Sequence, residues 1–189
     1  MPSAMANRLG HCRIVLVSAF DDPVRSSQWS ETKDTLEISI ATAGSAEHDV
    51  AMELLLCLGQ ALWERISAAQ REAYWKLLDA EISEDVRGEI DEETLESKTW
   101  LLANRETARS LRRLERYGHA SFAATAAEYV HCLWHDVTVR TGQEHLPAAP
   151  LRARLNVFAR WFPPNSGYRL FPRRPTSTSS RHPPEASRR

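Results

Sequence analysis

The segment EYVHCLWHDV carries three side chains able to ligate a metal or move a proton, Glu128, His131 and His135, three and four residues apart. On a helix those intervals put all three on one face. Histidines at i and i+4 present two imidazoles from adjacent turns, the spacing used by helical zinc ligands, so a divalent zinc, manganese or iron ion is the cofactor to consider. His145, His119 and Glu53 are further donors whose distance from this face the sequence does not give. A Cys132–His135 thiolate pair is a second chemistry open to the same segment.

The motif stops short of known catalytic patterns. A zinc protease helix places its general-base glutamate directly after the first histidine, where this chain has Cys132. A di-iron carboxylate centre needs Glu-x-x-His twice with two more glutamates, and Glu128-x-x-His131 occurs once. The expected reading is therefore that these side chains are neighbours on a wet helix face and that no cofactor is bound, with a divalent metal as the alternative.

A second candidate site lies at the basic end. From His145 to Pro184 there is no acid, and Arg152, Arg154, Arg160, Arg169, Arg173, Arg174 and Arg181 alternate with Phe158, Trp161, Phe162, Tyr168 and Phe171. Arginine forks and aromatic faces serve phosphate contact, base stacking and protein hot spots alike. Leu151, Leu155, Phe158 and Phe162 recur at helical spacing and are expected in the core. Arg160, Trp161, Tyr168, Arg169, Arg173 and Arg174 are left as partner-binding residues.

Between Asp79 and Lys98 stand nine acids against Arg87 and Lys98, so the net charge of -1 conceals an acidic middle and a basic end. The two could neutralise each other, with exposed pairs worth only about 0 to 1 kcal/mol each. An acidic protein is the partner expected for the basic end. A sequence pI of 6.7 argues against a dedicated nucleic-acid binder, leaving weak, salt-sensitive contact with polyanions. The functional expectation is a non-catalytic interaction protein, with metal binding or metal-dependent hydrolysis at Glu128, His131 and His135 as the alternative.

Composition sets the frame for both sites. With 189 residues, 42% hydrophobic and 26% charged, the chain can enclose one sizeable core. The cysteines Cys12, Cys57 and Cys132 are odd in number and form no CxxC, which fits a reducing cytoplasm. The run IVLV is too short for a secretory signal, and no segment reaches the about 20 apolar residues of a membrane span.

The elements expected to position these residues make an α+β fold, predominantly α-helical. Residues 1 to 12 read as a loose lead-in, RIVLVSAF and TLEISIAT as a β-hairpin or strand pair, and DDPVRSSQWSETKD as the polar connection between them. About five helices follow. The first, capped by Ser45 and running to about Ile66, is apolar around most of its circumference and reads as the central core helix, with Glu53, Gln60 and Glu64 as a water-facing stripe. The second is AAQREAYWKLLDAEI. A third, capped by Asp91, runs unbroken from Glu92 to Gly118.

The fourth, about Ala120 to Arg140, turns Phe122, Ala126, Val130, Leu133, Trp134 and Val137 to the core and Glu128, His131 and His135 away, with Thr125 and Cys132 beside them. The last is LRARLNVFARWF, with Pro150 at its start. Residues 1–172 are expected to be one globular domain and 173–189 a disordered Arg/Pro/Ser tail.

Overall fold

The computed structural model describes residues 1–103, 110–135 and 142–171. The mostly helical α+β class holds: among the described residues six helices accompany one three-stranded sheet. The elements in chain order are α1 (Ser3–Leu9), β1 (His11–Val17), β2 (Ser27–Thr32), β3 (Thr35–Ala41), α2 (Glu47–Trp63), α3 (Ala68–Ser83), α4 (Glu92–Leu102), α5 (Ser110–Cys132) and α6 (Ala148–Trp161). The tail 173–189 lies outside the described residues.

Two expectations at the N-terminus are corrected. The lead-in contains α1, anchored by Met5 and Leu9, both buried. The polar connection contains β2, and the sheet order is β1-β3-β2. The two strands read from the sequence therefore pair parallel, Ile14 beside Ile38, while β2 pairs antiparallel with β3. β2 escapes a hydropathy reading because SQWSET has a single large apolar residue, Trp29. Trp29 packs against the core, and two polar bonds tie the strand to α2: the Trp29 indole N–H donates to Gln60 Oε1 at 3.0 Å, and the Ser27 hydroxyl to Glu53 Oε2 at 2.7 Å. Glu53 and Gln60 on α2 thus accept from β2 and are not a stripe left to water.

β3 behaves as its alternation requires, with Leu36, Ile38 and Ile40 buried towards the helices. α2 starts one residue later than expected, with Ala46 as its N-cap and no side-chain cap. α3 begins with a capping box, Gln70 N–H to Ser67 Oγ and Ser67 N–H to Gln70 Oε1. Asp91 caps α4 as expected, accepting from Thr94 N–H at 2.8 Å. α6 runs from Ala148, which puts Pro150 inside its first turn, and Leu151, Leu155, Phe158 and Phe162 are all buried.

The expected long helix from Glu92 to Gly118 does not exist in that form. α4 ends at Leu102, and α5 passes straight through Gly118. Gly118 is there for contact: a Cβ would fall 2.1 Å from the Trp75 ring of α3. α5 then stops at Cys132, short of the expected Arg140, and residues 136–141 lie outside the described residues.

α5, more than α2, is the central helix. From Ser121 to Ala127 every residue is buried, including Thr125, which the helical wheel had put on the polar side. The reason is α3, whose buried Tyr74 hydroxyl bonds Thr125 Oγ1 at 2.8 Å and also reaches Ser121. α2 crosses the opposite side so closely that Gly59 meets the Ala123 backbone. The two helices run antiparallel: His48 lies beside His131, and Trp63 beside His119.

A buried ionic network ties α3, α4, α5 and α6 together. Arg154 of α6, fully buried, donates to Glu81, to both oxygens of Glu89 (2.7 and 3.0 Å) and to Ser121 Oγ. Lys98 Nζ stands 3.0 Å from Glu89, and the Tyr117 hydroxyl donates to the same carboxylate at 2.6 Å. Two cations thus face two carboxylates, with hydroxyls filling the remaining lone pairs, which is the arrangement that makes a buried charge tolerable. Burial works against charge on Glu89, yet Arg154, and then Lys98, hold its carboxyl below the ordinary value. Burial pushes the Tyr74 hydroxyl up to about 12, so it stays a donor throughout the physiological range. The acidic middle and basic end do meet, and they meet inside the protein.

Candidate functional site

The end of α5 brings together Glu128, His131 and Cys132, with one donor atom of each within 4.8 Å of the others. Glu128 and His131 are three apart and Glu128 and Cys132 four apart, so helical geometry alone puts them on one side. The Cys132 thiol donates to Glu128 Oε1 at 3.1 Å, and His131 Nδ1 stands 4.0 Å from Glu128 Oε2. That Nδ1 is buried and has no hydrogen-bond partner. Cys132 is 3% exposed, and burial, followed by the neighbouring Glu128 charge, pushes its thiol well above the usual value.

His135 sits just beyond the helix end, exposed, with its ring 4.9 Å from that of His131. The imidazole that reaches His131 from another element is His48, in the first turn of α2, at 5.8 Å between ring centres and edge-on. Sequence reasoning did not single out His48, because nothing in its local pattern marks it. Only the antiparallel crossing of α2 and α5 carries it there. Cys132 was noticed chiefly as the residue that spoils a protease motif.

Beside these groups a cleft of about 250 Å³ opens between α2 and α5, lined by His48, Asp49, Glu128, Asp91, His145 and the apolar Met52 and Leu56. His145 reaches it through a short bridge: Glu89 N–H bonds Glu144 C=O, and Leu146 N–H bonds Glu89 C=O, both at 2.9 Å. Asp91 titrates above its ordinary value because burial outweighs its bonds to Thr94. Three nitrogen, oxygen and sulfur donors, two nearby imidazoles and an adjoining cleft make an arrangement able to hold a borderline-soft cation.

The basic end is divided by the fold. Arg160, Tyr168 and Arg169 are exposed and Trp161 is half-buried against Phe158, whereas Arg173 and Arg174 lie outside the described residues. Trp134, assigned to the core by the helical wheel, is 60% exposed and packs on Tyr168 at 5.1 Å. α5 has ended by then, and the turn swings the indole out. Arg154 leaves the surface altogether for the internal network. Arg152 lies 4.3 Å over the Phe171 ring.

Comparison of the chain with protein-family models, with curated proteins and with solved structures gives no match. Among the described residues, no helix is long and apolar enough to cross a membrane.

Proposed function

We propose that this chain binds a divalent transition-metal ion at the C-terminal end of α5, through Glu128, His131 and Cys132. The observation that carries the reading is the His131 Nδ1, buried without a partner beside a carboxylate and a thiol. Leaving a buried nitrogen unpaired costs about 1 to 3 kcal/mol, and coordination would remove that cost. Around a tetrahedral zinc ion, nitrogen, oxygen and sulfur donors stand about 3.5 Å apart, so side-chain shifts of about 1 Å would close the site. His48 and His135 supply the next imidazoles in reach. Were the fourth position taken by water facing the cleft, the ion would have the arrangement used in metal-assisted hydrolysis.

The test is metal analysis of untagged protein with thermal melts. About one equivalent of metal per chain, or a melting temperature raised by Zn²⁺, Mn²⁺ or Fe²⁺, is expected, with His131→Ala and Cys132→Ser losing the gain. Less than about 0.2 equivalents together with no thermal response overturns the reading.

A second reading is supported by the exposed Trp134–Tyr168 pair flanked by Arg169: a surface for an acidic protein partner, since aromatic and arginine side chains dominate such contacts. Removing residues 173–189 and replacing Arg160 and Arg169 by alanine should abolish partner capture at moderate salt. Unchanged capture defeats it.

A further inference from the structure

β1 is the outer strand of its sheet, and among the described residues no strand pairs with its free side. Val17 C=O accepts from Thr42 N–H at 2.9 Å, so the Val17 backbone points towards β3. Backbone direction alternates along a parallel ladder, so His11, Arg13 and Val15 also face β3, and Cys12, Ile14 and Leu16 turn their N–H and C=O groups to the open edge. Register beside Leu36, Ile38 and Ile40 puts the side chains of the same three residues on the helix side of the sheet. α2 packs under β3 and β2, leaving β1 overhanging. Ile14 is therefore 51% exposed and Leu16 63%.

Open edges with apolar side chains are normally blunted by proline, lysine or a bulge. β1 has neither proline nor lysine, and its one fixed charge, Arg13, is held 3.0 Å from Glu37 on the neighbouring strand. The geometry points to a second copy of this chain as the occupant, the two β1 strands pairing antiparallel about a two-fold axis at Ile14. In that register Ile14 opposes the partner's Ile14 and Cys12 opposes the partner's Leu16. All the outward backbone groups are used, in about six hydrogen bonds. The apolar overhang of each copy covers that of the other, and Arg13 falls opposite the partner's Val15, so no like charges face each other. A two-fold contact needs this self-complementarity, which a foreign strand would not. The result is a six-stranded sheet, independent of the residues in the metal reading.

Sedimentation of the full chain at about 100 µM is expected to show a dimer, and Ile14→Lys, at an already exposed position, to weaken it about tenfold or more with an unchanged circular dichroism spectrum. Register is read by Leu16→Cys. In the dimer, residue 16 stands about 5.5 Å from the partner's Cys12 between Cα atoms, within disulfide reach. Within one chain the two are about 13 Å apart along the strand. Mild oxidation should then give a reducible covalent dimer from Leu16→Cys, absent from the wild type and from the Cys12→Ser, Leu16→Cys double variant. A monomeric wild type, a dimer indifferent to Ile14→Lys, or a cross-link that never forms or survives Cys12→Ser each overturns the proposal.

Discussion

A Cβ added to Gly59 of α2 would stand 2.7 Å from the carbonyl oxygen of Ala123 in α5. The two helices touch backbone to backbone at that point, and the crossing fixes what lies further along: His48 against His131 at one end, Trp63 against His119 at the other. A substitution there acts on the candidate metal site from a distance. Because the opposing atoms are main chain and cannot rotate away, Gly59→Ala is expected to cost about 2 kcal/mol in urea unfolding. It should also weaken any zinc-dependent thermal shift by moving His48, and an unaltered melting temperature would contradict the close contact.

Arg154→Met removes the cation that holds Glu81 and Glu89 in the interior. Breaking a buried ion pair on one side costs about 3 to 5 kcal/mol, since Glu81 and Glu89 stay buried without Arg154 and Glu89 keeps Lys98 as its cation. Replacing Arg154, Glu81, Glu89 and Lys98 together by apolar residues of like size, so that no buried charge is left unpaired, should restore much of the loss. Equilibrium unfolding of the two variants separates an unpaired charge from lost packing.

Glu89 sets an acid limit on stability. Its folded carboxyl is held below the ordinary value, net of burial, by Arg154 and Lys98. A depressed carboxyl contributes stability that is present above its unfolded pKa, near the usual value for glutamate, and is lost as pH falls through the folded one. The melting-temperature difference between wild type and Glu89→Gln should therefore be largest at neutral pH and shrink on acidification below about pH 4.5. A difference constant with pH would mean that the folded protein leaves the Glu89 carboxyl at its unfolded value, and one that moves in favour of the wild type on acidification that burial raises it.

The capping box at Ser67 can be tested apart from any site. Ser67→Ala leaves the Gln70 N–H without its side-chain acceptor and should cost about 1 kcal/mol, with Ser67→Thr close to wild type. Thermal unfolding reads both.

Much of the frame was legible in the sequence because it rests on local pattern. The alternation of Leu36, Ile38 and Ile40, the helical spacing of Leu151, Leu155, Phe158 and Phe162, and the Asp91 cap each follow from neighbours within a turn or a strand. So did the adjacency of Glu128 and His131. Their burial did not: Thr125 and Cys132, polar by type, are both covered, Thr125 because α3 packs over a face that a wheel drawn for one helix treats as free. β2 was hidden because a single apolar residue, Trp29, packs on the core while the rest of its hold on α2 is hydrogen bonding to Gln60 and Glu53, which leaves no apolar period to read.

The sequence by itself determined the secondary elements whose apolar residues repeat, the segregation of acidic and basic stretches, and the placing of Glu128 and His131 on one helix face. Tertiary structure alone decided that Arg154 leaves the basic surface for Glu81 and Glu89, that His48 comes to His131, and that the two early strands run parallel with an open edge. The physical reason is range. Periodicity and capping are settled within a few residues, whereas Arg154 meets Glu81 across 73 positions, a contact that no local pattern encodes.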